Sequence, residues 1–229
     1  MVNSINSFYH NNPKSLLDTI SVYIITDKKD GLDLSKLNQN VNPIVLGEEE
    51  LSYDYSTLPV KLSHLKYHTY FRWEVFNNSV FNDIDNLLYL DCDTEVCSSL
   101  EDLFLPKTTP TIGLVSENMN HLTINHNITT KYYFNSGVML CTPKLLSEAS
   151  KEMFTLLVTF AKNHNFTYSD QDALNMVLSG GDYSRYIVML GNTYNSFFST
   201  WKDGVAPDNP RIIHHAGNNR SKFYALKYI

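Results

Sequence analysis

The sequence predicts an α/β fold, and three observations carry that prediction. Short β-branched or aromatic runs alternate with helix-length segments from Ser21 to His214. Hydrophobic residues make up 43% of the 229 positions, with 15 Tyr and 12 Phe, enough to bury a sizeable core and too many for a disordered chain. Two of the strand-like runs end in acidic residues, Asp27 after the first and Asp91 and Asp93 after a later one. In open α/β sheets the carboxyl ends of strands are where ligands bind.

In chain order, Ser21 to Thr26 is a β-branched, aromatic run ending in the charged stretch Asp27–Asp30, a buried strand followed by a polar loop. Val41 to Leu46 is a second strand, and Glu48 to Tyr55 a loop. Lys61 to Phe76 has helix length and is rich in aromatics. Leu87 to Leu90 is a tight apolar strand running into Asp91-Cys92-Asp93. Thr111 to Val115 and Phe134 to Cys141 are further strands. Leu145 to Lys162 has helical periodicity with Leu145, Ala149, Met153, Leu156, Leu157 and Phe160 on one side, and Pro143 stands just before it. Asp170 to Leu178 is a shorter helix, with Ser169 as N-cap and Gly180-Gly181 closing it. Ile187 to Leu190 and Ile212 to His214 are late strands. No repeat or linker interrupts the series, so residues 1–229 read as one domain with a mixed central sheet flanked by helices.

Charge and cysteine usage exclude several classes. A net charge of −6 argues against a nucleic-acid binder, which usually meets phosphates with a basic surface. Three cysteines, Cys92, Cys97 and Cys141, make no disulfide framework and read as reduced thiols. Met1 to Lys14 has no apolar core of a secretory signal, and no apolar run approaches bilayer length. The expectation is a soluble cytoplasmic protein without a transmembrane segment.

The chemistry centres on Leu87-Leu88-Tyr89-Leu90-Asp91-Cys92-Asp93. Side chains two apart on a strand point the same way, so Asp91 and Asp93 converge. Two carboxylates held together repel unless a cation joins them, and oxygen ligands suit Mg²⁺ or Mn²⁺. The bland alternative is an N-cap or a solvated turn. Cys92, between them, is expected to point into the core as a small hydrophobe. Ile212-Ile213-His214-His215 brings histidine to the end of another apolar strand, and imidazole shifts a mixed site toward Mn²⁺. Gly217, Arg220 and Lys222 follow, with cations suited to phosphate.

At this point the residues resemble a known family, the GT-A glycosyltransferases of family 8, which includes glycogenin and the bacterial lipooligosaccharide galactosyltransferases. Leu87–Asp93 is similar to its strand and D-x-D, Thr69-Tyr70-Phe71-Arg72 to its arginine-bearing helix segment, and Phe134-Asn135-Ser136-Gly137-Val138 to its N-[SA]-G-V strand. Asp170-Gln171-Asp172-Ala173-Leu174-Asn175 resembles its D-Q-D-x-x-N helix start, Tyr194-Asn195 its Y-N pair, and His214 to Gly217 its H-x-x-G. The six motifs stand in the expected order from about residue 20 to 222. The chain is also similar to glycosyltransferases encoded by large algal viruses.

The resemblance implies a GT-A fold and a retaining, Mn²⁺-dependent transfer, with Mg²⁺ as the other cation, from a UDP-sugar to a glycan, protein or lipid-linked sugar. It implies Asp91, Asp93 and His214 as metal ligands, and Thr26, Asp27, Cys92, Gly217, Arg220 and Lys222 at the nucleotide. Arg72, Asn135, Ser136, Asp170 and Gln171 would line the donor sugar, the last two with catalytic roles. One departure stands out: the family's K-P-W ending is replaced by Arg220-Ser221-Lys222, which keeps a cation and loses the tryptophan. Three other readings compete. A haloacid-dehalogenase-type phosphatase wants Thr or Val where Glu95 stands. A nucleotidyltransferase wants a Gly-rich basic loop where Thr26 to Gly31 has one glycine. The third is a sugar-nucleotide-binding module without catalysis.

Overall fold

The computed structural model of the chain describes residues 1–27, 29, 32–61, 66–117, 132–179, 181–197 and 205–216. Eight strands are assigned among them: β1 (Tyr23–Ile25), β2 (Ile44–Leu46), β3 (Leu87–Leu90), β4 (Thr94–Val96), β5 (Ile112–Glu117), β6 (Tyr133–Cys141), β7 (Ile187–Met189) and β8 (Ile212–His214). The α-helices are α1 (Val2–Asn11), α2 (Lys14–Leu17), α3 (Glu74–Asn77), α4 (Pro143–Asn163) and α5 (Ser169–Ser179).

The central sheet has the order β3-β6-β5-β7. It is mixed: β6 runs antiparallel to both β3 and β5, whereas β7 is parallel to β5. All nine residues of β6 are buried, as befits a strand with a neighbour on each edge and cover on each face. Its side chains divide between two cores. Met139 joins Ile112 and Leu114 under Met153, Leu157 and Leu174. Val138 and Leu140 join Phe8, Val96, Leu100 and Ile212 on the other side. Two short pairs complete the strand set, β1 with β2 in parallel and β4 with β8 antiparallel.

Strand β6 carries an irregularity that shapes the site. Its partners on β5 jump from Leu114↔Met139 to Val115↔Asn135, so residues 136–138 have no partner on that edge. A bulge of this kind re-aims side chains at the end of a strand. Here it falls on the Asn135-Ser136-Gly137 motif.

Several sequence expectations are corrected. The segment expected as a helix over Lys61 to Phe76 is a 3₁₀ turn, Tyr67–Trp73, leading into the four residues of α3, with residues 62–65 outside the described set. Its aromatics are too bulky and too numerous on every side for one helical face, and Tyr70, Phe71 and Trp73 are all buried. The long helix begins at Pro143, and its buried stripe is Leu146, Ser150, Met153, Phe154, Leu157 and Ala161, not the stripe through Leu145. Met153 and Leu157 belong to both stripes; the observed one keeps a single helical phase from Leu146 to Ala161, and it carries the polar Ser150 where the expected one ran through Ala149, while Ser147 has a non-helical φ of 42°. α5 starts at Ser169 itself, and the Asp172 carboxylate accepts from the Tyr168 N–H, 2.9 Å away, at its entry. α1 and β4 were not foreseen. α1 buries Phe8 in the second core and adds polar contacts to β4: Ser4 Oγ meets Thr94 Oγ1 at 2.8 Å, Ser7 Oγ accepts from the Val96 N–H, and Asn11 donates to the Val96 carbonyl.

Candidate functional site

β3 stops at Leu90, and the chain turns at once. The Asp91 N–H donates to the Gly137 carbonyl at 2.8 Å, while the Asp91 carbonyl accepts from both the N–H and the hydroxyl of Thr94. The turn feeds β4, whose register sets Thr94 opposite His214 at the end of β8. Neighbouring strand ends therefore bring both carboxylates to the imidazole. His214 Nε2 lies 3.5 Å from Asp91 Oδ2 and 3.3 Å from Asp93 Oδ1. One ligand atom from each residue can be chosen so that all lie within 4.8 Å of one another.

The charges explain how such a cluster persists. Burial works against a charged His214, but hydrogen bonds and attraction from Asp91 and Asp93 outweigh it and lift the ring to about 9. Burial likewise acts to raise Asp91, yet the Arg72 guanidinium and His214 hold it well below the usual carboxylate range. Asp93 is also lowered, its burial offset by His214. Two carboxylates with one imidazole form a donor set that fits Mn²⁺ or Mg²⁺. Gly137 leaves room for the cluster: a Cβ there would overlap the His214 ring and lie 2.8 Å from Asp91 Oδ2.

Arg72 ties this cluster to a third acid. Its guanidinium is 3.1 Å from Asp91 Oδ1 and, through Nε, 3.1 Å from Asp170 Oδ2. It also donates to Ser136 Oγ. The Tyr89 ring faces the guanidinium at 5.6 Å, and its hydroxyl donates to Asp91 Oδ1 at 2.7 Å. Asp170, at the first turn of α5, is pushed up to about 6, chiefly by burial and further by the charge of Asp91, against the pull of Arg72.

Gln171 is held on both sides of its amide. Oε1 accepts from the Ser136 N–H at 3.1 Å and from Asn135 Nδ2 at 3.0 Å, and Nε2 donates to Glu117 Oε1 at 3.0 Å. Asn135 donates to the same Glu117 oxygen at 2.9 Å. Glu117 is buried at the last position of β5, and burial raises its carboxyl. Sequence reasoning missed it by ending this strand at Val115; a lone acid two residues beyond an apolar run was the available signal.

The structure thus gathers Arg72, Asp91, Asp93, Asn135, Ser136, Asp170, Gln171 and His214 into one connected set of contacts. Thr26 and Asp27 stand at the end of β1, where Asp27 Oδ2 is 3.2 Å from His68 Nε2, a neighbour the sequence reading did not single out. Cys92 does not point into the core: it is exposed, because it lies in the turn after β3 and strand alternation no longer applies. Gly217, Arg220 and Lys222 lie outside the described residues. No helix among the described residues is long and apolar enough to cross a membrane.

Comparison with known proteins converges with this geometry. Residues 1–222 match the family model for glycosyl transferase family 8. General stress protein A of Bacillus subtilis (strain 168) is 24% identical over 221 residues, covering 88% of this chain and 76% of that protein. An active-site mutant of LgtC superposes with a TM-score of 0.66 at 18% identity, covering 97% of this chain and 90% of that one. The galactosyltransferase LgtC in complex with donor and acceptor sugar analogs gives a TM-score of 0.62 at 19% identity, covering 93% and 83%. The fold is the GT-A fold that the D-x-D strand suggested.

Proposed function

Because the chain belongs to glycosyl transferase family 8, we propose that it is a retaining, Mn²⁺-dependent enzyme that moves a sugar from a UDP-sugar to a hydroxyl acceptor. The observation that carries this reading is the convergence of Asp91, Asp93 and His214 within 4.8 Å beside the Arg72–Asp170 and Gln171–Glu117 contacts. A cation held there supplies a Lewis acid that offsets charge growing on the leaving diphosphate.

The chain's own residues have separable tasks in this reading. Thr26 and Asp27 bind the base and ribose of uridine, and the main chain at Cys92 borders the nucleotide. Gly217, Arg220 and Lys222 contact the phosphates. Arg72, Ser136 and Asn135 shape the donor-sugar pocket, and Asp170 holds sugar hydroxyls. A double displacement through a protein nucleophile fits poorly. The Gln171 amide is a weak nucleophile with both ends engaged, and the Asp170 carboxylate is bound by Arg72. Attack therefore comes from the face the diphosphate leaves, and a phosphate oxygen of the donor takes the acceptor's proton. The acceptor is a glycan, a protein side chain or a lipid-linked sugar. A neighbour of the same fold crystallised with donor and acceptor sugar analogs supports sugars on both sides of the reaction. Residues 1–229 act as one cytoplasmic, soluble catalytic domain.

A panel of nucleotide-sugars, each with and without Mn²⁺, tests the proposal by thermal stabilisation and by release of UDP. The expected result is stabilisation and slow hydrolysis with one UDP-sugar, both dependent on Mn²⁺. Tight binding without turnover on any acceptor would leave a sugar-nucleotide-binding module instead. Release of pyrophosphate from a nucleoside triphosphate and a sugar phosphate would make it a nucleotidyltransferase.

A further inference from the structure

The imidazole of His214 is gripped from behind. The segment after the short turn Asn192–Tyr194 lies alongside β8: the Ser196 N–H donates to the Ile212 carbonyl and the Ser196 carbonyl accepts from the His214 N–H. That pairing sets the buried side chain of Asn195 against the ring, its Oδ1 3.0 Å from His214 Nδ1. The Phe197 ring packs on the imidazole at 5.3 Å.

Donor and acceptor logic fixes which atom faces which. The Gly137 N–H, which can only donate, points at Asn135 Oδ1 from 2.9 Å. That atom is therefore the carbonyl oxygen of Asn135, and whatever else meets it must also donate. Asn195 meets it at 2.8 Å, so Asn195 presents Nδ2 there and Oδ1 to His214. An oxygen at 3.0 Å from Nδ1 requires Nδ1 to carry the proton. Nε2 is the ring nitrogen left to face Asp91 and Asp93. The same Asn135 holds the other end of the network, since its Nδ2 donates to Gln171 and Glu117. A chain of amides, oriented by one main-chain N–H in the β6 bulge, thus links the histidine of the cation site to the glutamine of the sugar site.

We infer that Asn195 is a positioning residue of the cation site: oriented through Asn135 by the Gly137 N–H, it accepts from His214 Nδ1 and keeps Nε2 turned to the aspartate pair. The inference rests on the reading of Asp91, Asp93 and His214 as cation ligands. Partners behind a metal-binding histidine fix the ring's orientation and tautomer, and their loss weakens metal binding by roughly 10- to 100-fold.

The test is a Mn²⁺ titration of the full chain, followed by the electron spin resonance of the free ion, on the wild type, Asn195→Leu and Asn195→Asp. Leucine keeps the size and removes the acceptor, and a loss of about 10- to 100-fold in affinity is expected. Aspartate keeps an acceptor toward Nδ1 but turns the bond to Asn135 Oδ1 into a contact between two oxygens, and is expected to retain clearly more affinity than leucine. Affinity unchanged in a folded Asn195→Leu, or lost equally in both variants, overturns the inference. If the leucine variant does not fold, long-range ¹H–¹⁵N correlation on wild-type protein with Mg²⁺ bound decides: a protonated Nδ1 on His214 supports it and a bare Nδ1 refutes it. A wild type that binds no Mn²⁺ at all removes the cation reading itself, an outcome distinct from a variant that binds too well.

Discussion

Glu74 and the Asp91–Asp93 pair are acids packed into the same molecule, yet they are built to different ends. Glu74 is wholly buried, and four neutral donors fill its two oxygens: Tyr55 Oη at 2.6 Å, Ser52 Oγ at 2.8 Å, Ser52 N at 2.9 Å and Asn78 Nδ2 at 2.7 Å. All four come from the chain itself, so the carboxylate is complete once the fold is formed and pins the 52–55 loop to α3. Asp91 and Asp93 remain partly exposed and share one imidazole, which their charges push up against the effect of its burial. What separates a structural acid from a candidate site here is not burial or acidity. It is whether the partners are neutral groups of the fold or a charge that an incoming cation can displace.

Breaking the open centre should have the largest effect. Asp93→Ala is expected to lower turnover by at least about 10³-fold, on the order of 4 kcal/mol in the barrier, with metal-free melting close to wild type. Steady-state kinetics with a saturating UDP-sugar and Mn²⁺ would check it, and an active variant would put Asp93 in the same class as Glu74. Breaking the closed centre should cost stability instead. Glu74→Ala strands several buried donors and is expected to lose about 3 kcal/mol in urea denaturation, while the folded fraction still binds Mn²⁺. Loss of metal binding without loss of stability would invert the contrast.

The smallest effect sharpens the comparison through Asp170, an intermediate case with both a cationic partner and a burial cost. Its carboxyl stands near 3.8 when unfolded and about 6 when folded. Between those values the folded state binds more protons, so stability is lost as pH rises from about 4 to about 7. The loss is on the order of 2–3 kcal/mol in metal-free protein. Asp170→Asn should flatten that slope in urea melts at several pH values. An unchanged slope would mean that the Arg72 partnership fully compensates the burial of Asp170, as neutral donors do for Glu74.

Much of this was legible without coordinates. The strand ending in Asp91-Cys92-Asp93, the His214 strand and the Asp170-Gln171 helix start are local patterns of apolar run and polar end, and each lies where its residues predicted. The failures share a cause. Cys92 was assigned by strand alternation across a boundary where the strand had already ended. The α4 stripe was drawn through the apolar Leu145 and Ala149, because the face that is buried carries a polar residue, Ser150, in its first turns. Glu117 looks like an unremarkable polar residue in one dimension, and Asn195 stood out only as half of the Tyr194-Asn195 pair, with no role attached; a bulge in β6 and a chain segment laid along β8 bring them to Gln171 and His214.

By itself the sequence determined the class of fold, the buried strands and the kinds of groups delivered to their ends, since periodicity and residue chemistry are local properties. Only the tertiary structure decided which of those groups share a charge, which amide atom faces which partner, and which acids are closed. Those outcomes depend on strand register and on contacts between residues as much as 123 positions apart, such as His214 and Asp91. No local pattern encodes a distance across the sheet.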